Sequence, residues 1–164
     1  MRRDLLSLDK ETVAFTFPSK LGYEHIAMGG LAAFAKKLGF PPSRIEDLKT
    51  AVAEAYVNAV QHGNKGKPDA RVIVVFHFKD GTLDISVFDE GDGLKEEPRD
   101  PDIERIIENL DLPVGFGIFL IKRLMDGFEY RKSHGQLNEV RMSMKLGGPP
   151  GKKGNGDVNA KTGK

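Results

Sequence analysis

A chain of 164 residues with no cysteine, and with 25 basic against 24 acidic side chains, is sized for one hydrophobic core without disulfide staples. The missing cysteines exclude a disulfide framework, a thiolate metal site and a cysteine nucleophile. A net charge of +1 gives no electrostatic ground for nucleic-acid binding, which rests on neutralising phosphates. No run approaches the ~18 apolar residues of a membrane span, and Met1-Arg2-Arg3-Asp4 leads into no apolar signal segment. The expectation is a cytoplasmic protein with neither membrane nor nucleic acid as partner.

In chain order, Thr12 to Phe17 alternates in part and stops at Pro18, which reads as a first strand at a sheet edge. Ser19 is a candidate cap for a helix carrying Ile26, Leu31, Phe34, Ala35 and Leu38 and ending at Gly39. Gly29-Gly30 weakens that helix by ~1 kcal/mol per glycine relative to alanine. Close approach of a neighbour to its backbone would compensate. Pro41-Pro42-Ser43 opens a stronger helix to about His62, with Ser43 as cap and Ile45, Leu48, Val52, Ala55 and Ala59 as its buried stripe. Gly63 ends it, and a turn-rich loop follows to Pro68.

Residues 71–78 and 82–89 read as two strands joined through Asp80-Gly81, the strongest short hairpin signal. Residues 94–114 carry Pro98, Pro101 and Pro113 around a short helical pattern over 103–110, and 117–125 is apolar and helical. Residues 128–133 and 139–146 read as a closing pair of strands. The order β-α-α-β-β-α-α-β-β predicts an α+β, two-layer sandwich with helices on one face of a mixed, mostly antiparallel sheet. Residues 1–146 form the single predicted domain. Residues 147–164, with six Gly, two Pro and four Lys, form a tail too poor in apolar side chains to fold.

Three stretches carry chemistry. On the second helix Asp47, Ala51, Glu54, Asn58 and His62 share one stripe beside the apolar one. Glu54 and Asn58, four apart, pair a candidate base with a side-chain oxygen suited to a hard cation. Read alone, the stripe is first of all the polar flank of an ordinary helix. In residues 83–89, alternation puts Leu83, Ile85, Val87 and Asp89 on the core-facing row. An unpaired carboxylate there is costly, so Asp89 meets a buried donor or receives one from a ligand such as an adenine amino group. Gly91 and Gly93 then let a flat base approach the backbone. Asp89-Glu-Gly-Asp-Gly93 is also turn-like, but it lacks the spaced ligands and closing Glu of a calcium loop. Gly115-Phe-Gly117 opens a helix whose free N–H groups form an anion site, without the lysine of a Walker loop or the third glycine of a dinucleotide fingerprint.

In this order the three stretches resemble the N, G1 and G2 boxes of the GHKL ATP-binding superfamily. Within it, the chain looks most like bacterial anti-sigma factor serine/threonine kinases. The likeness runs from about Phe15 to Lys145. It rests on Glu54-x-x-x-Asn58-Ala-x-x-His62-Gly63, a short lid, Gly115-x-Gly117 leading to Leu124-Met125-Asp126, and the terminal Asn138-Glu-Val-Arg-Met142. The resemblance implies a Bergerat-type fold with ATP/ADP and Mg²⁺ as cofactors. Glu54 would be general base, Asn58 the Mg²⁺ ligand and Asp89 the reader of the adenine amino group. Gly91 and Gly93 would give the base room, and Gly115 and Gly117 would be phosphate donors.

It also implies a small anti-sigma antagonist protein as substrate, a sigma factor as second partner, and leaves a homodimer open. Departures are Pro113-Val114 before the G2 glycines and Leu137-Asn138-Glu139 in place of the Gly-Thr pair that often precedes the last strand. Arg105 in the lid is a candidate γ-phosphate contact or a solvated surface residue. His62 suits a helix C-terminus, and His25, His77 and His134 have no metal spacing. His25 stands in no long dimerisation hairpin before the N box, so a sensor kinase with its own phosphoacceptor histidine is not expected. A nucleotide-responsive binding module without catalysis is the alternative function, and a bare ATP hydrolase is less favoured.

Overall fold

The computed structural model describes residues 11–93, 116–132 and 137–148. They form β1 (Thr12–Pro18), α1 (Glu24–Leu38), α2 (Pro42–Asn58) with a π-helical turn (Ala59–Gly63), β2 (Arg71–Lys79), β3 (Thr82–Asp89), α3 (Phe116–Leu124), β4 (Gly127–Lys132) and β5 (Asn138–Lys145). The sheet runs β1-β2-β3-β5-β4, so β1 is an edge as its terminal proline suggests. All four pairings are antiparallel. The helical pattern over 103–110, Gly115, Arg105, Pro113-Val114 and most of the tail lie outside the described residues.

Alternation decides which face of the sheet is buried. Val72, Val74 and Phe76 of β2, Leu83, Ile85 and Val87 of β3, and Val140, Met142 and Met144 of β5 all join the core. Their sequence neighbours are partly or fully exposed. The helices cover that face, with α2 packed against both α1 and α3. The β2–β3 hairpin turns through Asp80 and Gly81 at φ 51° and 75°, the doubly positive geometry of a type I′ turn. Gly39, at φ 93°, closes α1 by donating its N–H back to Ala35 and Lys36 carbonyls. Gly30 is where Phe15 presses on α1: a methyl there would stand 2.9 Å from the ring.

Three local expectations are corrected. Ile26 is 53% exposed, because the buried face of α1 is Ala27, Leu31 and Ala35, four apart, and Ile26 sits ~100° off it. Neither Ser19 nor Ser43 caps a helix: Tyr23 and Pro41 take the cap positions without side-chain bonds. Pro42 at the helix start needs no N–H partner. Finally, α2 does not run as an α-helix to His62. It ends at Asn58 and widens into the π turn, with Asn64 N–H bonding Ala59 O at 2.8 Å.

Two polar groups tie helices to strands. Arg44, in the first turn of α2, is 3% exposed and donates to Asp126 Oδ2 at 3.0 Å. The same oxygen accepts the Lys145 N–H at 2.8 Å, so the α3–β4 connection is held between α2 and β5. Tyr56 is fully buried, and its hydroxyl donates to both Pro18 O and Lys20 O at 3.1 Å. Burial, helped by the Glu24 charge, pushes this phenol up to about 12.

Tyr56→Phe is therefore expected to lower stability by ~1 kcal/mol at neutral pH in chemical denaturation. The raised pKa makes its contribution complete below pH ~10, the phenol's unfolded value. That contribution is lost as pH climbs toward about 12, because the unfolded state ionises first. The stability gap between wild type and Tyr56→Phe should thus shrink from pH 10 upward; a gap constant to pH 12 would contradict this origin.

Candidate active site

The π turn that follows α2 and the end of β3 meet glycine to carboxylate. A methyl at Gly63 would lie 2.6 Å from both Asp89 carboxylate oxygens, and a methyl at Gly91 would collide with the Gly63 carbonyl. Only side-chain-free residues at both positions allow this closeness. Asp89 is 8% exposed, on the core-facing row of β3 as alternation predicts. Its Oδ1 accepts the Gly91 N–H at 2.9 Å and Asn138 Nδ2 at 2.8 Å. The buried donor that the sequence leads one to expect is thus Asn138, which stands directly across from Asp89 in the β3–β5 register.

Asn64 locks the corner from the other side. It is fully buried, and its Nδ2 donates to Ser19 Oγ and Arg71 O, each at 3.0 Å. Its Oδ1 accepts the Glu90 N–H at 2.8 Å. One amide side chain thereby joins the π turn to the exit of β1, the start of β2 and the end of β3. Glu90 returns the tie, its Oε2 accepting the Arg71 N–H at 2.8 Å. Gly93, at φ 82°, packs beside Asn138, Tyr130 and Lys132, where a methyl would lie 2.7 Å from Asn138 Oδ1. The glycines after Asp89 therefore make room for protein groups.

The second meeting point is α2 with α3. A methyl at Gly117 would lie 2.7 Å from Glu54 Oε2, 3.2 Å from Asn58 Nδ2 and 3.6 Å from Asn58 Oδ1. Glu54 and Asn58, both half-buried, share the side of α2 that faces the first turn of α3. Ala51, in the same predicted stripe, is fully buried, so the stripe borders the core and is not a plain solvated flank. Among the described residues no three His, Asp or Glu side chains gather as a metal cage. One Asn oxygen beside a bare helix start does suit Mg²⁺, which keeps most of its shell as water and phosphate oxygens, and leaves Glu54 next to it free to act as a base.

The fold thus brings together Asp89 with Gly91, and Glu54 with Asn58 and Gly117, on one helix and its two neighbours; Gly115 lies outside the described residues. Asn138 and Asn64 were missed as site residues. For Asn138 a signal existed: Asn138, Val140, Met142 and Met144 alternate inward, so a buried amide opens an otherwise apolar row. Asn64 gave no signal beyond a turn-rich loop.

Comparison with known proteins identifies the family. The family described as "Histidine kinase-like ATPase domain" matches residues 17–144. The chain is 33% identical over 120 residues to the serine-protein kinase RsbW of Listeria innocua, covering 71% of this chain and 76% of that one. It is 32% identical over 130 residues to RsbW of Bacillus cereus, covering 76% of this chain and 80% of the relative. The fold is similar to a solved structure of the RsbU and RsbW domains of a Mycobacterium tuberculosis protein, with TM-score 0.60, 18% identity and 82% of this chain covered. The chain spans 32% of that longer polypeptide. With most of its length matched and about a third of aligned positions identical to RsbW kinases, this chain belongs to the histidine kinase-like ATPase domain family.

Proposed function

We propose that this chain is an ATP-dependent protein-serine/threonine kinase that requires Mg²⁺, phosphorylates a small anti-sigma antagonist protein, and regulates transcription in the bacterial cytoplasm by switching between that antagonist and a sigma factor. The observation that carries the reading is the approach of Gly117 to Glu54 and Asn58, which gathers a base, a metal-suited oxygen and a helix N-terminus in one place. The RsbW relatives are named serine-protein kinases. No helix among the described residues is long and apolar enough to cross a membrane.

In this mechanism Asp89 Oδ2 accepts the adenine amino group. Gly115 and Gly117 would offer backbone N–H groups to the phosphates, and Asn58 would hold Mg²⁺, which would supply charge neutralisation there. Glu54 takes the proton from the antagonist's seryl or threonyl hydroxyl as its oxygen attacks the γ-phosphorus. The bond to the β-phosphate oxygen breaks, and its electron pair leaves on ADP. Such transfer is mostly positioning and charge neutralisation, so few side chains suffice.

Two predictions separate binding from catalysis. Asp89→Asn preserves an acceptor for Gly91 N–H and Asn138 but turns an NH₂ toward the adenine amino group. Isothermal titration in Mg²⁺ should then show ADP affinity reduced at least about tenfold, the order of one buried hydrogen bond to a charged group; unchanged affinity would refute the base contact. Glu54→Gln should bind ADP as wild type does, yet transfer labelled phosphate from ATP to the antagonist about a hundredfold or more slowly, the usual contribution of a general base. Equal transfer rates would remove Glu54 from the chemistry. A wild type that binds ADP but transfers nothing to any antagonist-domain protein of its source organism would leave the nucleotide-responsive binding module.

A further inference from the structure

We propose that Asn138 sets the base preference of the pocket: by saturating one oxygen of Asp89 it leaves a single acceptor, which suits adenine and disfavours guanine. The inference rests on the reading of Asp89 as the group that receives the base's amino proton. Asn138 is 3% exposed and faces Asp89 across the β3–β5 ladder. Its Nδ2 donates to Asp89 Oδ1 and to Gly91 O, both at 2.8 Å. Both partners are pure acceptors, so the orientation of the amide is fixed and both its protons are committed. Gly93 accommodates the amide oxygen, which lies 2.7 Å from where a methyl would stand on that residue.

The consequence falls on Asp89. A carboxylate oxygen offers two lone-pair sites. On Oδ1 these are taken by the Gly91 N–H at 2.9 Å and by Asn138. Among the described residues no further hydrogen bond reaches the Asp89 carboxylate, which leaves Oδ2 as the acceptor for a ligand. The pairing edge of guanine carries two adjacent donors, N1–H and the 2-amino group, and a carboxylate grips them only with both oxygens. Adenine carries one donor there, the 6-amino group, next to the acceptor N1. A carboxylate with one open oxygen satisfies adenine and strands one guanine donor, and an unpaired buried donor is what discriminates strongly. Asn138 is in this sense a positioning residue that acts through Asp89.

The test uses the full chain in Mg²⁺, with ADP, GDP and IDP titrated directly or in competition with ADP. GDP and IDP differ only by the 2-amino group. On the wild type, ADP should bind best and GDP should gain nothing over IDP. In Asn138→Leu and Asn138→Ala, Oδ1 is released, and the GDP-to-ADP affinity ratio should rise at least about tenfold, with GDP now ahead of IDP. Loss of packing alone would weaken all three nucleotides together and leave the ratios unchanged. Wild-type preference for ADP with unchanged ratios in the variants would overturn the role of Asn138 and keep the proposed nucleotide site. A wild type that binds GDP tenfold better than IDP would overturn that role equally, and this result needs no variant to fold. A wild type that binds none of the three overturns both readings.

Discussion

The contact of Gly63 with Asp89 and Gly91 is the constraint on which the site depends. The carbonyl of Gly63 occupies the space a side chain at Gly91 would need, and its α-carbon rests against the Asp89 carboxylate. This brings a helix end against a strand end more closely than any pair of side-chain-bearing residues allows. The π turn belongs to the same arrangement. Ending α2 in an i→i+5 bond delivers Asn64 to a buried position, where its amide spans three strand ends. The Asn64 amide is fully buried, so these bonds spare it the cost of unpaired burial and hold the corner together.

The helix α2 then serves as a spine. Toward its C-terminal end Glu54 and Asn58 meet Gly117 of α3, and in the π turn that follows Gly63 meets β3. Gly63, at the proposed base end, follows Asn58 by five positions and Glu54 by nine, so one helical segment carries both ends of the site. The Arg44–Asp126 pair fixes the start of the same helix to the connection leaving α3. Because the guanidinium is buried, removal of its carboxylate partner would strand a charge, a loss of about 3–5 kcal/mol. Packing of α3 on α2 is thus anchored at the far end by charge, while glycine lets the near end approach.

Much of this was legible in the sequence where a local rule decides. Asp80-Gly81 specified the hairpin, Gly39 stopped α1, and period-2 alternation put Asp89 on the buried row of β3. The pairing of Glu54 with Asn58 followed from helical spacing, and the structure adds that Gly117 faces both. What local rules miss is set by tertiary contact. Nothing in Ala59-Val-Gln-His-Gly63 announces a wider helical pitch. Ile26 looks apolar and periodic, yet the face α1 buries is one residue away. Asn138 gains its meaning from the register that places it opposite Asp89, which no single strand reveals.

Hydrogen–deuterium exchange with and without Mg-ADP tests most directly whether α2, the β3 corner and the start of α3 form one pocket. The account predicts joint protection on nucleotide addition of amides around 58–64, 89–93 and 116–120. Protection confined to one of these segments, or absent from all three while nucleotide is bound, would contradict it.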